Sequence, residues 1–261
     1  MTAIKGVLID LSGTVHIDSK VIPGAIDAIR RLRASRIPFK FATNTTKVSS
    51  SKLVRKLIHL GFEVDAKDVF TSLSACKDMI QTRQLRPLLL MEDAALEEFK
   101  EIETSDPNAV VIGLAPSKFN YENLNEAFRL LSSDANVPLI AVHKAKYFAD
   151  NDEKLSLGPG GFVQALEYAT GTTATVAGKP TKDFFRLALK QIHMEDKPEQ
   201  VAMIGDDVQN DLGEGAEQLG MQRFLVKTGK YRENDEKKNP GVKVFSSVVE
   251  AIDYILEQQD S

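Results

Sequence analysis

Short apolar runs that each stop at a polar residue, separated by stretches with helical spacing, limit the fold of this chain more than any other feature. The run Ile4 to Asp10 (IKGVLID) is β-branched and almost continuously apolar, which suits an interior strand of a parallel sheet covered on both faces. After it, Pro23 at a first-turn position and Ile26, Ile29 and Leu32 at helical spacing predict a crossover helix. Pro38 to Asn44 (PFKFATN) predicts a second strand, and SSKLVRKLIHLGF a second helix with serine caps and Gly61 at its end. The alternation returns in TKDFFRLALKQIHM, VAMIGD, RFLVKT and SSVVEAIDYIL. Such alternation predicts an α/β fold built on a doubly wound parallel sheet.

The middle of the chain has its own set of strands, RPLLLM, AVVIGLA and PLIAVH, around the helix NYENLNEAFRLLSS. A segment of roughly 100 residues is an ordinary domain size, so the sequence predicts one domain from 1–76 plus 177–261 and a second α/β domain, 77–176, inserted into it. A length of 261 residues with 43% hydrophobic content can fill two such cores. The net charge of −4 gives no support to a nucleic-acid or anionic-membrane partner. No apolar run approaches the roughly 20 residues that span a bilayer. A single cysteine, Cys76, excludes an internal disulfide, and no leader-like apolar stretch opens the chain, so a soluble protein of the reducing cytoplasm is expected. The charge run KYRENDEKKNP predicts a solvated loop.

In doubly wound sheets, ligands bind beyond the carboxyl ends of the strands. Four places qualify: Asp10; Thr43 with Asn44; Lys179 in AGKP; and Asp206 with Asp207 in IGDDVQND. Several carboxylates, one lysine and small hydroxyl or amide donors form a coherent set for a phosphate ester with Mg²⁺, because hard oxygen ligands hold the metal and the ammonium offsets phosphate charge. Taken singly, each has a plainer reading: Asp10 as a turn former, Lys179 as a loop lysine, Asp206 and Asp207 as helix caps.

DLSGT, TNTT, GKP and GDDVQND, in this order along the whole chain, resemble the four motifs of the haloacid dehalogenase (HAD) superfamily. The place of the insertion, together with GPGGFVQALEYATG and TSDPNAVVIGL, is similar to the type IIA, NagD-like branch. The resemblance implies a HAD-like Rossmannoid core with an inserted α/β cap and a Mg²⁺-dependent phosphatase acting on a small phosphorylated substrate. It makes Asp10 the nucleophile that becomes an aspartyl phosphate, and also a metal ligand. Thr43 and Asn44 hold the phosphate oxygens, Lys179 offsets charge on the phosphoryl group and Asp10, and Asp206 binds the metal, with Asp211 acting through a metal-bound water. The role of Asp207 stays open, as does a homodimer through the cap.

One residue departs from the family pattern. Two positions after the nucleophile the family usually has a second aspartate, general acid and then base; here it is Ser12, whose carbonyl can still bind Mg²⁺. General acid–base catalysis typically contributes roughly 10²–10⁴ in rate, and serine has no pKa near neutrality to replace it. Three readings follow: a phosphatase favouring good leaving groups such as phosphoanhydrides or phosphoramidates, a binding protein for a phosphorylated metabolite without turnover, or a structural protein keeping the fold for its surface. Of the four histidines, His16, His59 and His193 read as surface or packing residues, while His143, with Lys144 and Lys146, ends a strand of the cap and is a candidate substrate contact. Cys76 has no base beside it and reads as inert.

Overall fold

A computed structural model describes residues 3–149 and 155–259. The chain begins with strand β1 (Gly6–Ile9), the short hairpin β2 (His16–Ile17) and β3 (Lys20–Val21), helix α1 (Ala25–Ala34), β4 (Phe39–Thr43), α2 (Ser50–His59), β5 (Val69–Thr71) and α3 (Ser72–Thr82). It continues through β6 (Pro87–Leu90), α4 (Asp93–Leu96), β7 (Ala109–Ile112), α5 (Tyr121–Ser133), β8 (Leu139–Ala141), the pair β9 (Tyr147–Ala149) and β10 (Leu155–Leu157), α6 (Gly160–Thr170) and β11 (Thr175–Val176). The last third contains α7 (Lys182–Gln191), β12 (Val201–Gly205), α8 (Glu214–Gln218), β13 (Gln222–Val226), β14 (Val242–Phe245) and α9 (Val248–Glu257).

Two compact units divide these elements. The first comprises Met1–Thr43, Ser51–Phe70 and Lys179–Ser261; the second comprises Asn44–Ser50 and Thr71–Gly178. The boundary expected between residues 76 and 77 falls inside α3, a continuous helix that Thr71 caps by accepting a hydrogen bond from Ser74 N, so the division lies ahead of that helix.

The first unit holds a six-stranded sheet in the order β14-β13-β12-β1-β4-β5. β1 pairs in parallel with both β12 and β4, and β12, β13 and β14 continue in parallel. All four residues of β1 and all five of β12 are buried, as strands covered on both faces require. Helix α1 packs on α9 and α7 on α8, supplying the covering layers. α1 starts at Ala25 rather than at Pro23, because Gly24 takes the left-handed cap position, and it buries Ala25, Ala28, Ile29 and Leu32. The second unit is a parallel four-stranded sheet, β11-β8-β7-β6. On one side Leu73, Cys76, Ile80, Met91 and Phe99 fill its core, and on the other Leu131, Val163 and Leu166.

The order of the large sheet fixes one special place. From β1 the chain proceeds through β4 to β5 in one direction, and later through β12, β13 and β14 in the other. β1 and β12 therefore border the topological switch point, where the loops leaving neighbouring strands diverge and open a crevice.

Candidate active site

β1 and β12 deliver carboxylates side by side. Ile9 pairs with Ile204, and the Asp10 N–H donates to the Ile204 carbonyl at 2.8 Å, so Asp10 leaves the sheet beside the end of β12, where Asp206 follows Gly205. The turn after Asp10 is closed by Val15 N donating to Leu11 O at 2.9 Å. Gly13 occupies that turn with φ at 95° and lies so near the Asp206 carboxyl that an added Cβ would overlap it. Only glycine meets both conditions. Ser12 is exposed at this turn, whereas Thr14 is buried and its hydroxyl lies 3.5 Å from Asp206 Oδ1.

Asp211 completes the group. Ligand oxygens of Asp10, Asp206 and Asp211 lie within 4.8 Å of one another, and all three residues are buried. Lys179 sits among them: its Nζ donates to Asp10 Oδ1 at 2.5 Å, to Asp211 Oδ1 at 2.6 Å and to the Ala42 carbonyl at 2.8 Å. Those three acceptors match its three protons. Burial alone would lower the lysine pKa, but the charges of Asp10 and Asp211 hold it above the ordinary range, so the ammonium stays charged. Lys179 does not extend a strand of the large sheet, contrary to its reading as a strand-end residue there. The strand before it, β11, pairs with β8 in the second unit.

One ammonium does not balance the cluster. Burial, then Asp211 and Asp10, push the Asp206 pKa well above the carboxylate range; burial and Asp10 push Asp211 upward too. A divalent cation would remove this penalty, and an all-oxygen donor set of buried carboxylates is what a hard cation takes. The residues present thus fit the metal that the sequence implies.

Asp207 is a different kind of residue. Its Oδ1 accepts from Gln209 N at 3.1 Å and Asn210 N at 3.0 Å, and its Oδ2 from Asn210 Nδ2 at 2.7 Å and Lys230 Nζ at 3.2 Å. It organises the turn after β12, and its own N–H donates to Asp211 Oδ2 at 3.1 Å. Lys230, which opens the run expected to be a solvated loop, was missed. Its backbone N–H donates to Asp206 Oδ2 at 2.6 Å.

Thr43 ends β4 and is buried; Asn44 belongs to the second unit. In that unit, His143 Nδ1 accepts from Ala145 N at 3.3 Å, which leaves its Nε2 to donate to Thr46 Oγ1 at 3.0 Å. Lys144 pairs with Glu167 at 2.8 Å, and Lys146 is exposed. His59 and His193 lie on the surface, while His16 is buried with neither ring nitrogen hydrogen-bonded among the described residues. Burial pushes the Cys76 thiol up to about 12, which makes it unreactive.

Comparison with known proteins gives concordant matches. The family described as haloacid dehalogenase-like hydrolase matches residues 7–105, and a HAD-hydrolase-like family matches 176–251. The chain is 52% identical over 257 residues to haloacid dehalogenase-like hydrolase domain-containing protein 2 of Bos taurus, covering 98% of this chain and 97% of that protein. It is 38% identical over 268 residues to phospholysine phosphohistidine inorganic pyrophosphate phosphatase of Homo sapiens, covering 100% of this chain and 97% of the relative. Among solved structures, NagD from E. coli K-12 superposes with a TM-score of 0.84 at 22% identity, covering 95% of this chain and 98% of NagD. No helix among the described residues is long and apolar enough to cross a membrane.

Proposed function

The chain belongs to the haloacid dehalogenase-like hydrolases and shares the fold of NagD, and from that membership we propose that it is a phosphatase whose nucleophile is Asp10. A carboxylate oxygen of Asp10 attacks the phosphorus of a small phosphorylated substrate, and the bond from phosphorus to the leaving atom breaks. Water then attacks the phosphorus of the aspartyl phosphate, which releases orthophosphate and returns the carboxylate. A covalent intermediate divides one hard displacement into two easier ones. The observation that carries this reading is the buried contact of Lys179 Nζ with Asp10 Oδ1 at 2.5 Å inside the triad of Asp10, Asp206 and Asp211.

Lys179 engages Oδ1 of Asp10 and holds the carboxylate in one orientation, so that its second oxygen is left for the phosphorus. Thr43, which ends β4, and Asn44 after it bind phosphoryl oxygens in this reading. Asp10, Asp206 and the Ser12 carbonyl would hold a divalent cation, Mg²⁺, with Asp211 in support. When bound, that cation offsets the charge of the phosphoryl oxygens.

Ser12 leaves the leaving group without a proton donor at the usual place. Substrates whose leaving group departs as a stabilised anion or amine suffer least, so phosphoanhydrides and phosphoramidates are the favoured class. The printed name of the 38% identical relative, with its phospholysine, phosphohistidine and pyrophosphate, is of the same character.

The test is phosphate release from pyrophosphate and from an aryl phosphate by wild type and Asp10→Asn, with and without Mg²⁺. Release that needs Mg²⁺ and falls by at least ~10³-fold in the variant is expected, as for loss of a covalent nucleophile. Release undiminished in Asp10→Asn sinks the proposal. The Ser12 substitution also favours a second reading, ligand binding without turnover. Mg²⁺-dependent binding of phosphate by a wild type that releases none would select it.

A further inference from the structure

Lys230 is a cation beside the carboxylate cluster to which the proposed reaction gives no role. It stands in the loop that follows β13, and one contact ties that loop to the nucleophile turn and another to the end of β12: Thr228 Oγ1 donates to the Gly13 carbonyl, and Lys230 N donates to Asp206 Oδ2. Both are made by the loop itself or by Thr228, so the place of the loop does not depend on the lysine side chain. That side chain is 68% exposed and reaches Asp207 at 3.2 Å.

The two lysines of the cluster differ in what they can give a ligand. Lys179 is buried, and its three protons face three protein acceptors. Breaking any of these buried, charge-assisted bonds is costly. The pair between Lys230 and Asp207 is open to solvent on the lysine side, where water competes for the ammonium and the pair is held weakly. Asp207 also keeps three other donors, from Gln209 and Asn210, if the lysine leaves. A flexible cation held weakly, beside a carboxylate that does not need it, is available to a second anionic group brought in with the substrate.

We propose that Lys230 is a specificity-determining residue that binds the anionic part of the leaving group, so that this site favours substrates carrying a second negative group, such as the distal phosphate of a pyrophosphate, over simple monoesters. The inference rests on the phosphatase reading above and specifies its substrate class. It also bears on Ser12, because a leaving phosphate stabilised by an ammonium needs less proton transfer as it departs.

Lys230→Gln removes the charge and keeps much of the stem. Its kcat/KM for pyrophosphate should fall about 10-fold or more, while that for an aryl phosphate with no second anionic group stays within about 2-fold, and Lys230→Arg should recover part of the loss. Binding of methylenediphosphonate, which cannot be hydrolysed, should weaken about 10-fold in Lys230→Gln, with orthophosphate binding unchanged. Equal losses on both substrates and both ligands would assign Lys230 to the framework of the turn and overturn the inference. No loss on any of them overturns it equally. A wild type that turns over neither substrate defeats the phosphatase reading, and the diphosphonate comparison then still decides whether Lys230 selects a second anion.

Discussion

At the residue scale the site is a problem in charge, and Ser12 is where it is least resolved. Asp10, Lys179, Asp206 and Asp211 were legible in the sequence because each stands at a fixed offset from a motif, and the structure brings all four together. Ser12 was legible only as a departure. It is exposed at the turn beside the nucleophile, so a longer side chain there has room. Ser12→Asp is expected to raise release from an alkyl phosphate by about 10-fold or more, since a proton donor contributes roughly 10²–10⁴ when well placed. Pyrophosphate, whose leaving group needs little help, should change far less. Initial rates on the two substrates check this, and a gain equal for both would show that proton donation is not what Ser12 lacks. Lys230 escaped the sequence reading for a physical reason. Its side chain is mostly exposed, as expected of a charge run, and only its backbone contact with Asp206, which no residue pattern encodes, brings it to the site.

At the element scale the long elements were legible and the short ones were not. β1 and β12 are apolar runs bounded by turns and are buried throughout, and β4 and β13 are mainly apolar, with Lys40 and Arg223 buried in them. The hairpin β2–β3 and the strand β11 have two residues per strand, too few to show any period. They matter nonetheless, because the hairpin follows the nucleophile turn directly and β11 precedes Lys179. The end of β12 also carries a constraint that the sequence does not announce. Gly205 lies so close to Asp211 that a Cβ would overlap the carboxyl group. Gly205→Ala should therefore push Asp211 off its contact with Lys179 and cost about 1–3 kcal/mol, as overpacking does. A lower Tm together with loss of most phosphate release is the expected result. Full activity in the alanine variant would show that the position of Asp211 is not critical.

At the scale of the whole molecule, the sheet order places like charges in one crevice. That arrangement couples stability to pH. Asp206 shifts from 3.8 to about 8 in the metal-free protein, because burial and then Asp211 and Asp10 disfavour its ionised form. Between those values the folded state holds a proton that the unfolded chain has released, so stability conferred at low pH is lost as pH rises toward about 8. Asp206→Asn removes this dependence. In a chelator, the variant should gain in Tm over wild type as pH rises from about 5 to about 8. Mg²⁺ acts in the opposite sense on wild type: it competes with the proton, so its stabilising effect should be larger at about pH 8 than at about pH 5. At 100 times its Kd it contributes about 2.7 kcal/mol. In Asp206→Asn the Mg²⁺ effect should shrink at both values. Melting curves of the two proteins, with and without Mg²⁺ across this range, provide the measurement. A chelated wild type that gains on the variant as pH rises would contradict the charge accounting, since it would mean that the three carboxylates fold together without penalty.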